Sequence, residues 1–182
     1  MKPMKDFEIK KSEQIYSGRV VGLSRELIVL PNGREVTREV VQHPGAVAIV
    51  PMLSSSEVVL LRQFRYPAKT TLWEVPAGTL EPSEGPRACA HRELIEETGY
   101  RAGKMEPMGG FFTSPGFCNE FLHMFVATDL VLCESDPDQD ERLEVHTLSL
   151  DEALRKIETG EIVDAKTLVG LLMVDRMMSK PR

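Results

Sequence analysis

Between Gly78 and Tyr100 the chain reads GTLEPSEGPRACAHRELIEETGY. At fixed spacing this gives Gly78, five residues, Glu84, seven residues, then Arg92-Glu93-Leu94-x-Glu96-Glu97-x-Gly99-Tyr100. At ordinary residue usage, the chance of the seven glycine and charged letters (Gly78, Glu84, Arg92, Glu93, Glu96, Glu97, Gly99) falling in register somewhere in 182 residues is on the order of one in 10⁶. The segment also dictates its local fold. Ser83 or Glu84 stands where a helix would begin, Pro86 suits the first turn, and Gly99 suits the C-terminal stop. Ala88, Leu94 and Ile95 are expected on the apolar face of that helix. Residues four apart share a helix face and those three apart nearly do, so Glu93 and Glu97 stand one turn apart with Glu96 beside them.

Three carboxylates within five residues repel one another unless a cation or an arginine offsets them. A solvated helix face would do so with water, but the complete spacing with Gly78, Glu84 and Gly99 favours a metal. Mg²⁺ prefers oxygen ligands and keeps several waters. It can acidify one of those waters and neutralise a phosphoryl oxygen under attack. Arg92 reaches Glu96 at i,i+4 and would orient that carboxylate. Gly78 permits close backbone approach, which makes the Ala77 carbonyl a further candidate ligand.

Strands and two further helices surround this segment. Ile15 to Val29 reads as a strand, Pro31-Asn32-Gly33 as a hairpin turn, and Arg34 to Val41 as the returning strand. Residues 1–43 therefore form a small β extension placed before a main domain of residues 44–182. Within the latter, Ala46 to Leu53, Val58 to Phe64, Leu72 to Val75 and Phe121 to Ala127 are strand-like. Ser149-Leu150-Asp151-Glu152 matches a capping box opening a helix to about Thr159, with Gly160 beyond it. Leu168, Leu171, Leu172 and Met177 give helical spacing to the last element. The class is α/β.

The net charge of −6 and pI near 5.3 argue against nucleic-acid backbone binding, which needs a basic face. A small anion held locally by metal and arginine is unaffected by that balance. Ala46 to Leu53 is the longest apolar stretch and is far too short to span a bilayer. No hydrophobic run follows the first basic residues, so no secretory signal is read and the cytoplasm is expected. The three cysteines, Cys89, Cys118 and Cys133, form no CxxC pair and read as reduced thiols.

The Gly78–Tyr100 pattern is the Nudix box, and the chain resembles the Nudix hydrolases, more narrowly the bacterial ADP-ribose pyrophosphatases, from about Ser17 to Met177. Four stretches extend the resemblance: Arg38-Glu39 leading to His43-Pro44-Gly45-Ala46-Val47, Arg62-Gln63-Phe64-Arg65, Glu74-Val75-Pro76-Ala77-Gly78, and Ser114-Pro115-Gly116-Phe117 followed by Glu120. Pro115 lies sixteen residues after Gly99, the spacing that in this superfamily tends to mark ADP-ribose users.

The resemblance implies an α/β/α sandwich with a mixed sheet. It implies Mg²⁺, with Mn²⁺ the alternative, bound by Ala77 through its carbonyl and by Glu93, Glu96 and Glu97. Arg65 would neutralise the diphosphate, and Gly116 and Glu120 would meet the ribose. Family members are commonly homodimers whose N-terminal β segment reaches the partner. Val20 and Glu39 would then help hold the adenosine half in the neighbouring subunit's site, with Arg38 also among the substrate-binding residues.

One departure stands out. Relatives often carry two glutamates, two residues apart, in a late acidic loop, where this chain has Asp138-Gln139-Asp140-Glu141. Glu141 fits the metal-ligand position, but Gln139 cannot accept a proton, so Glu141, Asp140 or a box glutamate would activate the water. The implied reaction is hydrolysis of ADP-ribose to AMP and ribose 5-phosphate. Another nucleoside diphosphate sugar, such as GDP-mannose or ADP-glucose, is the nearest alternative, and a non-cleaving ADP-ribose sensor a more distant one. The complete set of box glutamates favours the enzyme over the sensor.

Overall fold

A turn rich in Pro, Asn and Gly between two β-branched runs should close a hairpin, and it does. The computed structural model describes residues 7–133 and 143–179, which hold ten strands and three helices. These residues divide into two compact units: one runs through Gly45 with Phe111–Phe121 added, the other holds Ala46–Gly110 and the chain from Leu122 onward.

In the first unit, β1 (Glu8–Ser17), β2 (Gly22–Val29) and β3 (Glu35–Gln42) form an antiparallel sheet in that order. Gly33, at φ +81°, takes the left-handed position in the β2–β3 turn, where only a residue without Cβ sits at no cost. The Leu30 N–H donates to the Arg34 carbonyl at 2.9 Å to close it. The single strand expected over Ile15 to Val29 is corrected to two. Gly18 donates to the Val21 carbonyl at 2.9 Å, which turns the chain between β1 and β2. The first half of β1 escapes a pattern-based reading because all ten of its residues are exposed, so no apolar alternation marks it.

In the second unit, β4 (Ala46–Pro51) is buried at every position. It runs parallel to β9 (Phe121–Leu132) and antiparallel to β7 (Ala77–Thr79), in a four-stranded mixed sheet of order β7-β4-β9-β8, where β8 is Tyr100–Phe112. A strand buried on both faces needs cover on both, and the pleat alternation provides it. Val47, Ile49, Phe125 and Ala127 cluster with Cys89, Ala90 and Leu94 of α1 (Pro86–Thr98). On the other face, Val50 and Met124 lie so close to Gly170 of α3 (Ala165–Met178) that a Cβ there would stand 2.8–2.9 Å from their side chains. A second sheet, β10 (Leu143–Ser149), β5 (Glu57–Arg65) and β6 (Thr70–Glu74), is antiparallel and carries α2 (Leu150–Glu158) after it. The α/β class with a mixed sheet flanked by helices is borne out.

Three local expectations change. The helix α1 is capped by Gly85 and not by Ser83 or Glu84, with Pro86 as its first residue; the Glu84 side chain is engaged elsewhere. Ala88 is exposed, and Cys89 and Ala90 take the buried face with Leu94. On α3 the buried stripe is Thr167, Gly170, Leu171 and Val174, while Leu172 and Met177 are each 51 % exposed. The strand β8 goes unread in the sequence because Pro107, Gly109 and Gly110 look like breakers, yet Ala102 and Met105 enter the α1-facing core. The Ser149 cap holds, its hydroxyl accepting from the Glu152 N–H at 3.1 Å.

Candidate active site

The site begins with one short strand and one helix. Val47 pairs with Gly78 and Ala48 with Ala77, so β4 fixes the backbone of β7. Because Leu94 and Ala90 anchor α1 in the core, its neighbouring face brings Glu93 and Glu97 to β7. The Glu97 carboxylate, only 8 % exposed as a residue, accepts the Ala77 N–H at 2.8 Å. Glu93 lies against Gly78 so closely that a Cβ at residue 78 would overlap its carboxylate. Here the glycine serves close approach rather than an unusual backbone angle. Gly99 ends the helix at φ 71°, its N–H donating to the Ile95 carbonyl at 2.9 Å.

One guanidinium organises the acidic face. Arg92 donates to Glu84 in a two-pronged pair (Nε to Oε1 3.0 Å, Nη2 to Oε2 2.9 Å), and its Nη1 bridges Glu93 at 2.7 Å and Glu96 at 2.9 Å. The i,i+4 pair read from the sequence is present; the Glu84 and Glu93 contacts are additional. Bidentate, charge-assisted pairing of this kind is strong and directional. It holds the Arg92 guanidinium firmly charged and pushes the Glu84 carboxyl from 4.5 down to about 2. Beside it, burial pushes the Cys89 thiol up to about 12, which removes it as a nucleophile near neutral pH.

Arg65, at the end of β5, completes the wall. With Ala77, Gly78, Thr79, Arg92, Glu93, Glu96, Glu97 and Leu143 it lines a cavity of about 230 Å³. Its guanidinium is gripped by Glu74 through Nε–Oε1 at 2.8 Å and Nη2–Oε2 at 2.7 Å. Glu74 is 1 % exposed and also pairs with Lys166 of α3. Burial pushes its carboxyl up, but Arg65 and Lys166 outweigh burial and hold it below the usual range. The sequence gives Glu74 no role of its own, yet it carries a signal: a carboxylate inside the short apolar run Leu72 to Val75, where an unpaired charge could not be buried.

Arg38, Glu39 and Gly116 meet in a second cavity, of about 360 Å³, in the first unit, with Val40, Phe112, Pro115, Phe117, Cys118 and Asn119. Glu120 lies near this loop, accepting from the Thr113 hydroxyl at 2.6 Å and standing 3.7 Å from His43. Val20 is exposed in the β1–β2 turn. Glu141, with Asp138, Gln139 and Asp140, lies outside the described residues.

Comparison with known proteins decides the family: the NUDIX domain profile matches residues 42–169. The chain belongs to the Nudix family. An ADP-ribose pyrophosphatase of Bacillus subtilis (strain 168) is 44 % identical over 94 % of this chain and 93 % of its own. A methanol dehydrogenase activator of Bacillus methanolicus is 45 % identical over 88 % of each chain. A crystal structure of an ADP compounds hydrolase superposes with a TM-score of 0.85 at 21 % identity, covering 98 % of this chain and 97 % of its own, which shows the shared fold. Among the described residues no helix is long and apolar enough to cross a membrane.

Nudix hydrolases in general use divalent metals such as Mg²⁺. Among the described residues, no three His, Cys, Asp or Glu side chains already stand as a ligand set. Arg92 pairs with Glu93 and Glu96, and the Ala77 N–H donates to Glu97. The donor chemistry nonetheless fits a hard cation: three carboxylates and nearby backbone carbonyls offer oxygen only, beside a glycine that leaves them room.

The low pKa of Glu84 makes a stability prediction. A carboxyl whose folded pKa lies below its unfolded one stabilises the fold above pH 4.5, and that contribution is lost as pH falls from 4.5 towards 2. Allowing for solvent screening, Glu84→Gln should cost on the order of 2 kcal/mol at pH 7. Urea unfolding of both proteins should show that gap shrinking through acid pH; a gap unchanged at pH 2.5 would contradict the pairing.

Proposed function

We propose that this Nudix hydrolase cleaves the diphosphate of ADP-ribose, giving AMP and ribose 5-phosphate, with Mg²⁺ or, alternatively, Mn²⁺. The observation that carries the chemistry is the cavity that Arg65 and Arg92 line together with Glu93, Glu96 and Glu97. At about 230 Å³ it suits a diphosphate better than a whole nucleotide sugar, whose pockets usually exceed roughly 300 Å³. Likeness to the Bacillus subtilis enzyme along nearly the whole chain supports ADP-ribose over other sugar nucleotides.

Glu93, Glu96, Glu97 and the Ala77 carbonyl would hold the cation, with Glu141 a further ligand. When bound, it supplies charge neutralisation at the phosphoryl oxygens and a more acidic water. Arg65 steers the diphosphate into the cavity and offsets the negative charge that grows on its oxygens. The new bond joins the water oxygen to phosphorus, the bridging P–O bond breaks, and the leaving phosphate takes the electron pair. Glu96 takes the water's proton: its side chain is 41 % exposed, against 12 % for Glu93, so it is the more open of the two to water. Glu141 is the other candidate for that role. Gly116 and Glu120 would meet the ribose.

We read the protein as a cytoplasmic homodimer. Three free thiols suit a reducing compartment. The strand β1, exposed along its length with Ile9, Ile15 and Tyr16 uncovered, is an edge that a second copy would cover. Val20, Arg38 and Glu39 would then serve the partner's adenosine.

The test is a product assay with ADP-ribose, GDP-mannose, ADP-glucose and NAD side by side, with and without EDTA. The expected outcome is release of AMP from ADP-ribose fastest, and its abolition by EDTA. Preference for another sugar nucleotide would keep the chemistry and discard the substrate; binding of ADP-ribose without cleavage would point to a sensor.

A further inference from the structure

We infer that Glu74 is a positioning residue for Arg65, holding its guanidinium in the orientation that the diphosphate-binding wall requires. The inference rests on the hydrolytic reading of the cavity given above. Glu74 lies at the end of β6, three residues before Ala77, and its side chain is 1 % exposed. Arg65 stands at the end of the adjacent strand β5 and is 37 % exposed, so the pair runs from the interior to the cavity wall. An arginine has many rotamers, and two parallel N–H···O bonds to one carboxylate select a single plane for its head. The second anchor comes from α3. Lys166 pairs with the same Glu74 carboxylate and, at 3.1 Å, with Asp164. Thr167 accepts the Val75 N–H at 2.8 Å, tying the backbone beside Glu74 to the same helix turn. The position of Glu74 is thus set by β6 and α3 together, independently of the acidic helix face.

Stability alone does not account for this cluster. Replacing a buried ion pair with apolar groups of like volume is often neutral or stabilising, so a fold has little need of one for its own sake. Placement does account for it, since misplacing a binding group by about 1 Å can cost on the order of 10²-fold in rate. The Arg65 role belongs to the cavity; the Glu74 role is to keep Arg65 there.

The experiment is a double-mutant cycle with the substrate that wild type cleaves best, reading kcat, KM and Tm. Arg65→Ala and Glu74→Gln are each expected to lower kcat by about 10²-fold with KM changed far less, and Arg65→Ala/Glu74→Gln to be no worse than Arg65→Ala within about threefold. Glu74→Gln removes the carboxylate that Arg65 and Lys166 share and leaves Lys166 only Asp164, so Glu74→Gln/Lys166→Met is made alongside it. That neutral pair should fold with near-normal Tm and show the same kcat loss. Losses that multiply in the cycle, or Glu74 variants with normal kcat beside a crippled Arg65→Ala, overturn the inference and leave the hydrolytic reading standing. Full activity in Arg65→Ala overturns the Arg65 role and the inference with it. Preference for a sugar nucleotide other than ADP-ribose changes the substrate alone, whereas a wild type that cleaves none overturns both.

Discussion

Glu97→Gln is expected to lower kcat on ADP-ribose by roughly 10³-fold or more, equivalent to about 4 kcal/mol of lost transition-state stabilisation. Glu97 is tied directly to the backbone of β7, through the Ala77 N–H at 2.8 Å. Glutamine keeps the volume and an acceptor for that N–H, so the fold should persist. What it removes is the negative charge, on which affinity for a divalent cation depends. Steady-state kinetics across a Mg²⁺ titration, with Tm measured on the same samples, checks it. Near-normal kcat in a folded variant would remove Glu97 from the metal site. A loss recovered entirely at high Mg²⁺ would assign it to affinity alone.

The second large effect is steric. Gly78→Ala adds one carbon where the Glu93 carboxylate already lies, and the backbone of β7 is held by its pairing to β4. Gly78 does not adopt the left-handed region, so alanine suffers no backbone strain, and the new methyl must displace Glu93. Overpacking of this kind costs about 1–3 kcal/mol of stability. Because Arg92 Nη1 bridges Glu93 and Glu96, displacement of one carboxylate disturbs the other. A fall in kcat of about 10²-fold is expected, since misplacement by roughly 1 Å costs that much. A Gly33→Ala control tests backbone cost alone, because nothing lies within 4 Å of a Cβ there and φ is +81°. Full activity in folded Gly78→Ala would mean that the position of Glu93 is not critical.

Helical spacing made part of the site legible in one dimension. Glu93, Glu96 and Glu97 fall together because an α-helix repeats every 3.6 residues, and Arg92 finds Glu96 for the same reason. The hairpin turn at Gly33 and the helix stop at Gly99 were readable because each needs a residue that tolerates positive φ. Other parts were hidden by chemistry that mimics a different signal. The Gly and Pro residues of β8 look like punctuation, and the fully exposed β1 offers no alternation.

The carboxylate set, its helix and the α/β class can be read from the residues in order, because each follows from contacts within one or two helical turns or from a repeating pattern; Gly78 reads as a turn but lies in strand β7. Tertiary structure alone decided how those groups are held. Glu84 meets Arg92 across eight residues, Ala77 meets Glu97 across twenty, and Glu74 meets Lys166 across ninety-two. Such separations carry no periodicity. They depend on the register of β7 on β4 and on how closely α1 and α3 pack against the two faces of that strand, which side-chain volumes such as the missing Cβ atoms of Gly78 and Gly170 set.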